Sequence, residues 1–104
     1  MFEINNVYWK IKFVSPYDRS LLVNNIYYTI GVCDNNDKII YIANNLHGKL
    51  LKKVLCHELV HAAMYSYGVN ITVEQEELIA DAIATYGQEI LNITNKIFKR
   101  LQLL

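Results

Sequence analysis

Two histidines and a glutamate interrupt the stretch of this 104-residue chain that is most strongly helix-forming and apolar. From about Leu46 to Tyr67 there is no proline, and apolar residues recur at helical spacing: Leu51, Leu55, Leu59 and Ala62. Inside this stretch His57, Glu58 and His61 form the pattern His-Glu-x-x-His. The neighbouring residues are apolar on nearly every side, which predicts a buried helix. Because burial of polar side chains is costly without partners, these three need a specific reason to be there.

The spacing of the three residues points to a metal ion. Residues four apart lie on one face of a helix, so the imidazoles of His57 and His61 are able to bind one ion. Glu58 is rotated by about 100° around the axis, beside the ion and not on it. That position suits a general base acting on a water molecule that zinc activates. The sequence therefore predicts zinc ligands at His57 and His61 and a catalytic base at Glu58.

A zinc site of this kind takes a third protein ligand and leaves one position open. The candidates are the carboxylates that follow the first helix and the remaining histidine: Glu74, Glu76, Glu77, Asp81 and His47. Two helices joined by a short loop run antiparallel, which puts Glu77 at the same height as His61. Ala80 and Ala84 lie on the same face of the second helix as Glu77, and these small residues allow a neighbouring helix to approach closely. Glu77 is therefore the predicted third ligand.

The other candidates have simpler interpretations. Glu74 and Glu76 lie near the start of the second helix, where anions complement the helix dipole. His47 lies ten residues before His57, which is about 15 Å along a helix. Asp81 lies one turn beyond Glu77, where it is able to accept a hydrogen bond from a ligand histidine. The alternative for Asp81 is a solvated residue on the helix surface.

The order of strand and helix patterns along the sequence predicts an α+β fold in one domain, residues 1–104. Strand patterns cover 9–13, 26–33 and 38–43, with a turn at 34–37 that predicts a hairpin. Thr72 and Gln75 fit a capping box, so a second helix begins near Val73 and runs at least to Gln88. Its end between there and Leu104 stays open. The expected architecture is a three-stranded, mostly antiparallel sheet followed by two antiparallel helices.

The second helix carries a large apolar stripe nearly opposite Glu77, and its members are Ile79, Ala82, Ile83, Tyr86, Ile90 and Ile97. Tyr86 on that stripe is expected to pack in the core. Further along, apolar residues form a candidate surface for a homo-oligomer or another partner: Ile90, Ile97, Leu101 and Leu104.

Composition excludes several classes of protein. Ten basic and ten acidic residues give a formal net charge of zero, which argues against a nucleic-acid partner. No apolar run is long enough to span a bilayer, so no membrane partner is expected. Cys33 and Cys56 are far apart and are expected to be reduced thiols in a cytoplasmic protein. Abundant Asn, Ile, Lys and Tyr are typical of an AT-rich bacterial or phage genome.

The motif His57-Glu58-Leu59-Val60-His61, followed by Glu77-Leu78-Ile79-Ala80-Asp81, resembles the Glu-zincin metallopeptidases. Small bacterial and phage members of the ImmA/IrrE-like group are the most similar. The resemblance implies a minimal zincin-like domain, a zinc cofactor and endopeptidase activity on a protein or peptide substrate. It also implies that Glu58 is the base, Glu77 the third ligand and Asp81 the residue that orients a ligand histidine.

Two further expectations concern the substrate. The strand 38–43 directly precedes the motif helix, so its edge is predicted to hold an extended peptide by strand addition. Ile40, Ile42 and Asn44 are the candidate substrate contacts. The alternative to an enzyme is a catalytically weak or inactive metal-binding or protein-interaction module of a phage or mobile element.

Overall fold

The computed structural model describes residues 1–104 as a sheet with two helices, which confirms the α+β class. The strands are β1 (Phe2–Ile4), β2 (Val7–Val14), β3 (Leu22–Val23), β4 (Tyr27–Tyr28), β5 (Gly31–Asp34) and β6 (Ile39–Ala43). The helices are α1 (Gly48–Ser66) and α2 (Val73–Gln102). A short 3-10 turn, Arg19–Leu21, precedes β3.

The sheet differs from the predicted three-stranded, mostly antiparallel one. Four strands pair in the order β1-β2-β6-β5, and β3 and β4 form a separate two-stranded sheet. The pair β2–β6 is parallel, with Lys10 opposite Ile39 and Val14 opposite Ala43. The predicted hairpin is confirmed for β5 and β6, which are antiparallel with Asp34 opposite Ile39. The predicted strand 26–33 is interrupted, and its first part pairs with β3 instead.

Pairs of asparagines make two of the tight turns. Asn5 and Asn6 have φ values of 48° and 64° and join β1 to β2. Asn24 and Asn25, with φ values of 53° and 57°, begin the turn between β3 and β4. Asparagine tolerates this left-handed region better than most residues, and two successive positive φ angles suit a hairpin turn. The Asn-Asn pairs are therefore turn signals as well as a feature of composition.

Local capping fixes the ends of the two helices. Gly68 has a φ of 64°, and the amides of Gly68 and Val69 donate to the carbonyls of Tyr65 and Met64, which closes α1 with a Schellman motif. The predicted capping box at the start of α2 is confirmed, because Thr72 and Gln75 exchange hydrogen bonds of 3.1 and 3.0 Å. Helix α2 then continues without a break to Gln102.

The core lies between the sheet and α1. Its buried cluster consists of Trp9, Ile40, Ile42, Val54 and Ala62. The indole Nε1 of Trp9 donates to the hydroxyl of Ser66 at 2.8 Å, which ties the end of α1 to β2. One face of α1 is thus packed on the sheet, and this packing fixes the position of His57, Glu58 and His61 relative to the sheet.

Helix α2 packs antiparallel on α1 through its small residues. Ala80 is fully buried, and Ala84 and Gly87 are partly buried. The large apolar stripe faces solvent, so the expectation that Tyr86 packs in the core is wrong: its side chain is 59% exposed. The small residues let the two backbones approach, and the larger side chains are left outside that contact. Neither helix combines the length and the apolar composition needed to cross a bilayer.

Candidate metal centre

Three side chains from the two helices converge on one point. The Nε2 atoms of His57 and His61 lie 3.1 Å apart. Glu77 faces both, with Oε1 at 2.9 Å from His61 Nε2 and Oε2 at 3.2 Å from His57 Nε2. The ligand atoms of these three residues all lie within 4.8 Å of one another. The group His57, His61 and Glu77 is therefore able to hold a metal ion.

Both histidines are oriented by a carboxylate on α2. His57 Nδ1 lies 2.9 Å from Oδ1 of Asp81, and His61 Nδ1 lies 2.6 Å from Oε1 of Glu76. An ionised carboxylate only accepts hydrogen bonds, so each Nδ1 carries the proton. With the proton on Nδ1, an imidazole binds a metal ion through the lone pair of Nε2, and in both residues Nε2 faces the shared point.

This arrangement places four electron-rich atoms together: the two Nε2 atoms and the two oxygens of Glu77. Such atoms repel one another unless a cation lies between them. A tetrahedral ion with bonds of about 2.0–2.1 Å separates its ligand atoms by roughly 3.3 Å. The observed separations of 2.9–3.2 Å are close to that value. The residues present therefore fit a metal ion on their own chemistry.

Glu58 lies beside the cluster and is not part of it. Its side chain is packed next to Gly31 of β5, and only 7% of the residue is exposed. No polar side-chain atom of the protein is fully buried without a partner, so the Glu58 carboxylate reaches the solvent of the cleft. Burial raises the pKa of Glu58, while His57 and His61 act in the opposite direction and Glu77 adds to the increase.

An open cleft of about 350 Å³ connects the metal ligands with the edge of the sheet. Helix α1 contributes Glu58 and Tyr65 to one wall, and β5 with the segment before it contributes Thr29 and Gly31 to the other. Strand β5 is the outermost strand of its sheet, so its far edge is not paired. The cleft thus combines the metal ligands with an open strand edge.

The predicted substrate contacts on β6 are corrected by this topology. Ile40 and Ile42 are fully buried in the core, and β6 lies between β2 and β5, so both of its edges are paired. A peptide therefore has no free edge to join on β6. Asn44 lies in the exposed turn after β6, where its backbone N–H donates to the carbonyl of Val14, and it does not line the cleft.

Two residues of the site were missed by the sequence reasoning. The interpretation of Glu76 as a residue that only complements the helix dipole is wrong, because its side chain is only 13% exposed and contacts His61. Tyr65 follows His61 by four residues, the same spacing that joins His57 to His61, and that spacing was the available signal. Partial burial and the charge of Glu76 raise the pKa of Tyr65, so its hydroxyl stays protonated as a donor at the cleft.

His47 and Cys56 lie outside the centre, as expected. His47 is the residue before the first turn of α1. Cys56 lines a groove between α1 and α2 that the metal ligands do not reach, and both cysteines are free thiols.

Comparison with known proteins adds no identification. No protein-family model matches the chain, and no curated protein or solved structure matches it significantly.

Proposed function

We propose that this protein is a zinc-dependent endopeptidase of the Glu-zincin type, with a protein or peptide as substrate. The observation that carries the proposal is the convergence of His57, His61 and Glu77 on one point, with Glu58 beside them in the cleft. Two imidazoles and one carboxylate are a ligand set that suits zinc and leaves a position open. The resemblance of the motif to the ImmA/IrrE-like group agrees with this choice.

His57, His61 and Glu77 would hold the zinc ion, which would act as a Lewis acid on the scissile carbonyl and lower the pKa of a water molecule. The protein's residues do the rest. Asp81 and Glu76 keep the ligand histidines in the tautomer that presents Nε2. Glu58 takes the proton of the attacking water and passes it to the leaving amine. Burial raises the pKa of Glu58 above that of an ordinary glutamate, which makes its carboxylate a stronger base for the proton of water.

The substrate is placed on β5 in this proposal. An extended peptide pairs with a free strand edge through backbone hydrogen bonds, and β5 is the free edge that borders the cleft. Gly31 allows the peptide and Glu58 to approach the same point, since it adds no side chain between them. The Tyr65 hydroxyl is a donor on the opposite wall.

The test uses the full chain and an unfolded protein such as denatured casein. The chain is stripped with a chelator, reloaded with one equivalent of zinc, and both forms are incubated with the substrate. We expect cleavage by the loaded form alone. If the zinc-loaded chain cleaves neither this substrate nor a peptide library, the proposed endopeptidase activity is overturned. That result would favour an inactive metal-binding module.

The ligand assignment is tested separately by zinc titration of Glu77→Ala. Loss of a hydrogen-bond partner of a ligand typically lowers zinc affinity about 10–100-fold. Removing a direct ligand should lower it further. Glu89→Ala is the matched control, since Glu89 is an exposed glutamate of the same helix. Equal zinc affinity in Glu77→Ala and Glu89→Ala would exclude Glu77 as a ligand.

A further inference from the structure

The last part of α2 has no neighbour in the fold. Helix α2 has 30 residues and α1 has 19. The first turns of α1, with Lys49 and Lys52, face α2 at Ile83 and Leu91. Because the helices are antiparallel, α2 continues past the start of α1 for roughly 16 Å. The longest dimension of the molecule, 57 Å, reflects this extension.

Residues 90–104, which we call the amphipathic segment, are apolar on one side. At 100° per residue, the apolar side chains of its helical part, which ends at Gln102, fill one arc of about 160° around the helix axis. The helical members of this arc are each 49–59% exposed: Ile90, Leu91, Ile93, Ile97, Phe98 and Leu101. An exposed apolar arc of this length is unusual on a protein surface and marks a contact site.

The polar side of the amphipathic segment carries only positive charge. Lys96, Lys99 and Arg100 lie there among neutral side chains, and no acidic residue follows Glu89. Lys96 and Arg100 lie toward one border of the apolar arc, where long basic side chains extend their charged ends to a polar phase.

Three lysines of α1 lie on the other side of the same arc. A groove of about 390 Å³ between the helices is lined by Lys49, Lys52 and Lys53 over Ile83 and Leu91. Phe98 follows Leu91 by two helical turns and so lies on the side of α2 that faces this groove. The apolar arc is therefore bordered by basic side chains on both sides.

We propose that the amphipathic segment binds the surface of an anionic phospholipid bilayer. Its apolar arc enters the boundary between headgroups and acyl chains. Lys96 and Arg100 on one border and the three lysines of α1 on the other contact lipid phosphates, while Lys99, on the far side of the helix, adds its charge to the attraction. This combination of an apolar arc with Lys and Arg on the polar side is typical of helices that lie in the plane of a membrane surface. The lack of a spanning segment led to the expectation of no membrane partner, but a helix lying on the surface needs no such length.

Charge favours a bilayer over a second copy of the chain. A second copy would bring the same positive side chains to the contact, and like charges repel. An anionic surface attracts each of them. The proposal is independent of the proposed function, since no residue of the metal centre takes part.

The test is flotation of the zinc-free full chain with vesicles of phosphatidylcholine alone or of an equimolar mixture with phosphatidylglycerol. We expect binding to the anionic vesicles only, weakened by high salt. The triple variant Lys96→Gln, Lys99→Gln, Arg100→Gln should bind about a hundredfold more weakly, from roughly fivefold per basic residue. The matched control is Lys10→Gln, Lys12→Gln, Arg19→Gln, which removes three exposed charges elsewhere and should bind like the unmodified chain.

A second variant separates membrane insertion from simple charge attraction. Phe98→Ser removes an exposed apolar side chain without touching any charge, and circular dichroism checks that α2 remains helical. It should bind anionic vesicles at least several-fold more weakly. Unchanged binding by Phe98→Ser, or equal binding of the two triple variants, would overturn the proposal. So would sedimentation showing a dimer that Phe98→Ser dissociates and that does not bind vesicles.

Discussion

His61 and Glu76 form the most enclosed polar contact of the metal centre, with Nδ1 of the imidazole 2.6 Å from Oε1 of the carboxylate and both side chains largely buried. Glu76 is adjacent in sequence to Glu77, so neighbouring residues of α2 contact opposite sides of the same imidazole. Through this contact α2 both binds the metal and orients one of the ligands that α1 supplies.

Replacing Glu76 should weaken metal binding without removing a ligand. In Glu76→Gln the orienting carboxylate becomes a neutral amide, so His61 loses part of its fixed orientation and basicity. We expect zinc affinity to fall about 10–100-fold by competition with a chelating dye. Glu74→Gln is the matched control, because Glu74 is an exposed glutamate in the same helical turn. Equal zinc affinity in the two variants would show that Glu76 does not orient His61.

Gly31 tests how closely β5 must approach the motif helix. A Cβ at this position would lie 2.8 Å from Cγ1 of Val54 and 3.1 Å from Oε2 of Glu58. We expect Gly31→Ala to lower the free energy of unfolding by about 1–3 kcal/mol, as overpacking does, and to lower proteolytic activity. Urea unfolding and the casein assay measure the two effects.

The control for Gly31→Ala is Gly87→Ala. An added Cβ at Gly87 would lie 3.2 Å from Cγ2 of Ile83, a half-exposed side chain with room to move. Alanine is also the better helix former, so this variant should be more stable by about 0.5–1 kcal/mol. The account of the β5–α1 contact is wrong if both alanine variants change stability in the same direction.

Sequence patterns located both helices and the start of α2 because those signals are local, whereas the end of α2 was left open. Gly68 closes α1 and Thr72 with Gln75 opens α2, each through contacts within a few residues. The same is true of the spacing that brings His57 and His61 together. Nothing local, in contrast, reveals that Lys10 lies beside Ile39 in a parallel pair. The predicted sheet was therefore wrong in strand number and missed this pairing, while the other two pairings are antiparallel as expected.

Glu76 was missed for a related physical reason. Whether a carboxylate at the start of a helix faces solvent or a neighbour depends on the rotation of that helix in the fold. The small residues on the face of Glu77 correctly indicated the side of α2 that packs on α1. The large apolar stripe instead suggested that Tyr86 lies in the core, whereas its side chain is exposed. Helix α2 packs through its smaller side chains, and this close approach brings the short carboxylates of Glu76, Glu77 and Asp81 to the histidines.

Cys33 should be an unreactive thiol although it lines the cleft. Burial raises its pKa to about 12, and the charges of Glu58 and Glu76 add to the increase. At pH 8 the thiolate fraction is then about a thousandfold lower than for an ordinary cysteine. With Cys33 as the sole cysteine in Cys56→Ser, an aromatic disulfide reagent should react slowly until urea unfolds the protein. Equal rates in the folded and unfolded states would contradict the assignment.

The hydrogen bond between Trp9 and Ser66 should contribute to stability. Ser66→Ala leaves the indole N–H of a fully buried tryptophan without its partner, which costs about 1–3 kcal/mol. Thermal and urea unfolding measure the loss. Thr94→Ala removes an exposed hydroxyl from α2 and should change stability by less than about 0.5 kcal/mol. A Ser66→Ala variant as stable as Thr94→Ala would show that α1 is not tied to β2 by this bond.

The central claim, that Glu58 acts as the base beside a zinc ion held by His57, His61 and Glu77, is tested by one rate comparison. Glu58→Gln keeps the size of the side chain but is unable to accept the proton of water. At equal zinc content, the account predicts that Glu58→Gln cleaves denatured casein about 10²–10⁴ times more slowly than the unmodified chain. Cleavage by zinc-loaded Glu58→Gln at the unmodified rate would contradict it.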